Sequence, residues 1–211
     1  AHPTDTTAPF TTIDPAATSF GVDFNPAADA LRVISNTGQN LRIFVQTVAG
    51  LTPDRQAGFT FTDTALNRSD GSAATFADSG TAYTNSFDGT TSTRMFNLDV
   101  RNANLIEQTD PNGGVTRVVA PLFGAATTLN GTNGFDIDAK NNVGFALLNI
   151  GGNNVLHRIT IPPVGATLPA SAPAATAVGT VNVSGVVGLA LAPATAPQVV
   201  ALEGATAGAQ R

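Results

Sequence analysis

Three aspartates and one asparagine have the types and spacing that could do chemistry. Asp23 stands two residues after a glycine in Gly21-Val22-Asp23-Phe24-Asn25, and Asp136 and Asp138 follow a second glycine in Gly134-Phe135-Asp136-Ile137-Asp138. Asn85 lies in Ala82-Tyr83-Thr84-Asn85-Ser86-Phe87. Hard oxygen donors on inner strands around a channel suit a divalent cation such as Ca²⁺. These four residues are therefore the candidate metal ligands, and a Ca²⁺-dependent hydrolase of lactonase or esterase type is one expectation. The structural alternative is that Asp23 and Asp136 accept hydrogen bonds from backbone amides in the turn after the strand. Recurrence favours the alternative, because scaffold residues return in every copy of a repeat whereas sites usually do not.

Other chemistry is thinly supplied. His2 and His157 are the only histidines and there is no cysteine, so a three-histidine zinc or copper site within one chain is excluded. His157, beside Arg158 at the start of an apolar stretch, reads as an outward-facing side chain. Asp63, Asn67 and Asp70-Gly71 gather oxygen side chains, but their spacing departs from the Ca²⁺ loop pattern. No Gly-x-Ser-x-Gly nucleophile elbow occurs, and no catalytic residue is assigned. Loops rich in Asn, Thr and Asp leave glycan binding as a third expectation. Tyr83 has the one phenolic hydroxyl, read as buried and tied to a neighbouring unit.

The elements that must position these residues follow from composition and pattern. Twenty-one Gly and thirteen Pro in 211 residues, with abundant Thr, Asn and Asp, suit many short strands joined by tight turns. Ten Lys plus Arg against fifteen Asp plus Glu give a net charge of −5, and Lys140 is the only lysine. That balance provides no basic footprint for nucleic acid or an anionic membrane surface. No apolar run is long enough to insert as a membrane helix. A first residue other than Met, with no cysteine, fits an exported chain, so a secreted or cell-surface location is expected.

The chain contains an internal repeat. The block Gly21 to Asn25 returns as Gly134 to Asp138, and Asn36-Thr37-Gly38-Gln39-Asn40 returns as Asn149-Ile150-Gly151-Gly152-Asn153, both at an offset of 113 residues. Alternating stretches flank these Asn/Gly turns, at Leu31 to Ile34 and Leu41 to Val45, then Val143 to Leu148 and Leu156 to Ile161. Such patterning predicts hairpins. A divergent copy between them places strands at Thr81 to Phe87, Thr93 to Leu98, Asn104 to Gln108 and Val115 to Val119. Repeat starts near 21, 82 and 134 describe propeller blades of four strands each. Residues 63–79 and 162–177 read as loops.

The expected fold is all-β: an incomplete β-propeller-like array of about three four-stranded antiparallel blades plus flanking single strands at Phe10 to Ile13 and Val186 to Leu191. Residues 1–9 form an arm, 10–193 the propeller-like domain, and 194–211 an Ala/Gly/Pro-rich tail. The segments Ser19 to Ile43, Ala82 to Phe87, Asn133 to Ile137 and Gly185 to Pro193 resemble a bacterial domain-of-unknown-function family, number four-three-nine-four. That resemblance implies a small secreted β-propeller with no assigned activity, here lacking the family's usual N-terminal blade. Fewer than about four blades cannot close a ring at native sheet twist. The expected role is therefore a structural or interaction module completed by self-association or by a partner chain at its exposed strand edges.

Overall fold

A computed structural model describes residues 12–48, 50, 56–72, 74, 80–182, 186 and 188–192. Thirteen strands and no helix occur among them. The first repeat forms an antiparallel sheet of β1 (Phe20–Asn25), β2 (Ala30–Ser35), β3 (Asn40–Phe44) and β4 (Thr60–Asp63), in that order. The divergent copy forms β6 (Thr81–Tyr83), β7 (Met95–Asp99), β8 (Asn104–Asp110) and β9 (Val115–Pro121), and β5 (Asn67–Arg68) adds to β9 in parallel. The third sheet is β10 (Leu129–Ile137), β11 (Gly144–Ile150), β12 (Asn153–Ile159) and β13 (Ala175–Thr180), again in sequence order.

The two Gly-x-Asp blocks at the 113-residue offset each close the first strand of a four-stranded antiparallel sheet, and the turns that follow are built alike. Asn25 Oδ1 accepts from the Ala27 and Ala28 amides, and the Asp138 carboxylate accepts from those of Lys140 and Asn141. Each turn then passes through a left-handed residue, Asp29 and Asn142, both at φ 51°. Asp and Asn tolerate this conformation because their short polar side chains bond locally.

Three details differ from the sequence expectation. The 63–79 segment contributes β5, whose Asn67 side chain donates to the Ala65 and Gly113 carbonyls and so anchors it to the β8–β9 turn. The Pro-rich 162–177 segment yields to strand just after Pro173, where Ala174 and Ala175 donate to Pro121 and Leu122 of the adjoining sheet. Neither flanking segment is a strand where it is described. Phe10 and Thr11 lie outside the described residues, as do 1–9, Val187 and 193–211, while 12–13, 186 and 188–191 belong to no sheet.

The sheets stack face to face. Between the second and third lies an apolar core that includes Phe96, Leu98, Leu105, Leu122, Phe135, Ile137, Leu148 and Ile159. Burial of such side chains contributes ~1.5–3 kcal/mol apiece. Between the first and second the apolar cluster is smaller, built from Ile34, Leu66, Ala74, Tyr83, Met95 and Ile106. The inner strands β1, β6 and β10 pack against one another, which fixes the centre of the array. The opposite face of β1 is open: Phe20, Val22 and Phe24 are 41%, 51% and 50% exposed.

Candidate functional site

Two cavities lie among the inner strands. One of about 180 Å³ is bordered by Gly21, Thr81, Gly134 and Leu189. The other, about 530 Å³, is bordered by the later residues of the same segments, including Asp23, Phe24, Phe87, Asp88, Asp136 and Leu191. Asp23 and Asp136 therefore share one pocket, which opens beside the exposed Phe24 and Phe87.

Their side chains do equivalent work. Asp23 Oδ1 accepts from the Phe24 amide at 2.7 Å, and Oδ2 accepts from the Tyr83 amide on β6 at 2.7 Å. Asp136 Oδ1 accepts from the Ile137 amide at 2.7 Å, and Oδ2 accepts from the Leu191 amide at 2.6 Å. Each carboxylate thus ties its own inner strand to the inner segment that follows. Residues 188–191 stand against β10 as β6 stands against β1. Gly134 permits the approach, since a Cβ there would lie 2.2 Å from the Leu189 nitrogen.

Electrostatics set these carboxyls apart. Burial, reinforced by the charge of Asp136, pushes Asp23 up to about 7 against the opposing bonds from Tyr83 and Phe24. Burial likewise raises Asp136, with its two amide donors and Leu191's in particular opposing the shift. Desolvation of this kind favours the protonated form of both carboxyls.

The remaining candidates go elsewhere. Asp138 caps the β10–β11 turn as described above. Asn85 and Asn142 form a reciprocal pair: the Asn85 backbone nitrogen donates to Asn142 Oδ1 at 2.8 Å, and Asn142 Nδ2 donates to Asn85 Oδ1 at 2.7 Å. Among the described residues no three His, Cys, Asp or Glu side chains come close enough to hold a metal ion. Asp63 bonds arginines, and Asp70 accepts from the Ser72 amide. His157 is buried, not outward-facing, because β12 turns it onto the Phe123 ring with centroids 5.6 Å apart. Burial lowers its pKa, while the bond to the Val155 carbonyl opposes the shift.

One residue escaped the sequence reading. Arg32 on β2 is 1% exposed and joins the first two sheets. Its Nη1 donates to Asn40 Oδ1 at 2.8 Å and to Asp63 Oδ2 at 2.7 Å, its Nη2 to Asn112 Oδ1 at 2.9 Å, and its Nε to the Tyr83 hydroxyl at 3.3 Å. The expected tie between Tyr83 and a neighbouring unit is this bond. A signal existed in the repeat, since position 32 plus the 113-residue offset is Phe145, so the arginine breaks the pattern at an alternating strand position.

A family model described as "Domain of unknown function (DUF4394)" matches residues 2–190. Searches among curated proteins and among solved structures find no match to the chain.

Proposed function

The chain belongs to the DUF4394 family, a domain of unknown function, and from that premise we propose that it is a secreted or cell-surface interaction module completed by a second copy of itself. The observation that carries this is the apolar row on β1. Phe20, Val22 and Phe24 share one face, exposed by 41%, 51% and 50%, and Val22 and Phe24 sit opposite Val33 and Leu31 on β2. The row holds no charge, and the other terminal sheet presents Val178 on β13, 60% exposed. Contiguous exposed apolar surface on a sheet is characteristic of association surfaces. Within the chain, sheets already join by stacking in series; a second copy continues that stack head to tail. The placement outside the cell rests on the resemblance of the sequence to secreted members of the family.

In this proposal Asp23 and Asp136 are interlocks between successive inner strands, not catalysts. Light scattering of the purified chain across high micromolar concentrations tests the association. Wild type forms dimers or larger species, and Val22→Lys, which places an ammonium in the middle of the row, shifts the population to monomer. A wild-type chain that stays a monodisperse monomer overturns the proposal.

A further inference from the structure

The geometry points to a self-modifying position at Asn112, in the turn between β8 and β9, which supplies the buried Arg32 with a second carboxylate. Arg32 and Arg42 both lean on Asp63, at 2.7 Å and 3.0 Å, so two guanidinium groups share that one carboxylate. The other oxygen at Arg32 Nη2 belongs to the neutral amide of Asn112, 2.9 Å away. Asn112 is followed by Gly113, whose backbone nitrogen donates to Asp110 Oδ1 at 2.9 Å. A Cβ at 113 would lie 2.2 Å from Asp110 Oδ2, so a larger residue there would push the Asp110 carboxylate aside.

These contacts place a proton acceptor at the Gly113 nitrogen and a hydrogen-bond donor at the Asn112 side-chain oxygen, two groups that assist loss of the side-chain amide. The Gly113 nitrogen attacks Asn112 Cγ, closing a five-membered ring, while its proton passes to the Asp110 carboxylate. Negative charge gathers on Asn112 Oδ1, where Arg32 Nη2 already donates a hydrogen bond; a donor placed at a developing oxyanion accelerates such a step. The Cγ–Nδ2 bond then breaks, and the leaving nitrogen takes the proton from Asp110 and departs as ammonia. Water, which reaches this exposed residue, opens the imide. Because Arg32 polarises the Cγ carbonyl, water adds at Cγ and the Cγ–N bond to Gly113 breaks. The product is ordinary aspartate with the main chain restored, not the isoaspartate that an unconstrained imide favours. No oxidant or cofactor enters. The new carboxylate faces Arg32, and two guanidinium groups are then matched by two carboxylates.

The test is peptide mass mapping of the purified chain over time at neutral pH, folded and in urea, with Asn130-Gly131 as an internal comparison. The mass gain of an amide-to-acid exchange is expected at Asn112 at least roughly tenfold faster in the folded chain than in urea, with aspartate the main product. Asp110→Asn, an exposed change that keeps an acceptor for Gly113, brings the folded rate down toward the rate in urea. Asn112→Asp, which supplies the product directly, raises the Tm by about 3 °C through the added charge pair. A folded rate no faster than that in urea, a predominantly isoaspartate product, or a rate unchanged in Asp110→Asn each overturns the inference.

Discussion

Replacing Asp23 by asparagine should invert the order of stability between variant and wild type as pH rises. The carboxyl has an ordinary value of 3.8 and is pushed up to about 7 in the folded chain, chiefly by burial. A group whose folded value is raised contributes stability that is fully present below the unfolded value and lost as pH climbs through the folded one. Between pH 4 and pH 7 wild type therefore gives up as much as ~4 kcal/mol at this residue, at 1.36 kcal/mol per unit. The amide of the Asp23→Asn variant has no proton to lose, so that slope vanishes. The variant carries a constant deficit instead. Asp23 accepts from both the Phe24 and Tyr83 amides through separate oxygens, and an amide offers only one oxygen, which leaves one N–H unpaired at about 1–3 kcal/mol. At pH 4 the variant is accordingly the less stable chain, and at pH 8 it is equal or better. For a chain of this length the relative shift is ~8–16 °C in Tm. Calorimetry of both proteins from pH 4 to pH 8 measures it, and the difference between them cancels every other titrating group to first order. Parallel Tm curves would refute the account of Asp23 as a buried, proton-holding interlock.

Further outcomes follow from single contacts. Arg32→Met leaves Asn40, Asn112 and the Tyr83 hydroxyl without their buried donor and should cost about 3–5 kcal/mol in urea unfolding. Arg42→Met, at a side chain 21% exposed, should cost no more than about 1 kcal/mol. Gly134→Ala places a methyl against the Leu189 nitrogen at a backbone φ of 141°, so hydrogen exchange should show the Leu191 amide losing protection while the Tyr83 amide keeps it. Glu107 is driven upward by burial, but bonds from Arg94 and Arg117 outweigh this and hold it below its ordinary value of 4.5. Its contribution is present above that value and lost as pH falls through the folded one, so Glu107→Gln should flatten the acid limb of the Tm profile. An acid limb as steep as that of wild type would contradict the ion-pair account.

Much of the scaffold can be read locally. The Gly-x-Asp blocks and the Asn-x-Gly-x-Asn turns mark equivalent strands because a turn needs left-handed residues and short polar caps at set positions, a requirement met within about five residues. Alternation in Leu31 to Ile34 and Val143 to Leu148 marks strands but not the face they bury: Arg32, Ile34, Gly144 and Ala146 turn inward, while Leu31, Val33, Val143 and Phe145 are only half-buried. Asp23 and Asp136 do accept from backbone amides, but none of these lies in the turn after the strand: Phe24 and Ile137 are still within β1 and β10. Tyr83 and Leu191 are 60 and 55 residues away.

Sequence alone determined the all-β class, three successive sets of antiparallel strands and a histidine and cysteine supply too small for a metal set of those residues, since each depends on residue type and near spacing. Tertiary structure decided which side chains meet. It sent Asn85 to Asn142, Asp138 to its own turn and His157 inward onto Phe123, and it placed Asp23 and Asp136 in one pocket. It also gathered Arg32, Asn40, Asp63, Tyr83 and Asn112 from five separate stretches of chain. Sheet stacking brings those stretches together, and no local pattern encodes a stack. Burial in turn depends on which sheets stack, so the raised Asp23 carboxyl and the buried guanidinium exist only once the sheets have met.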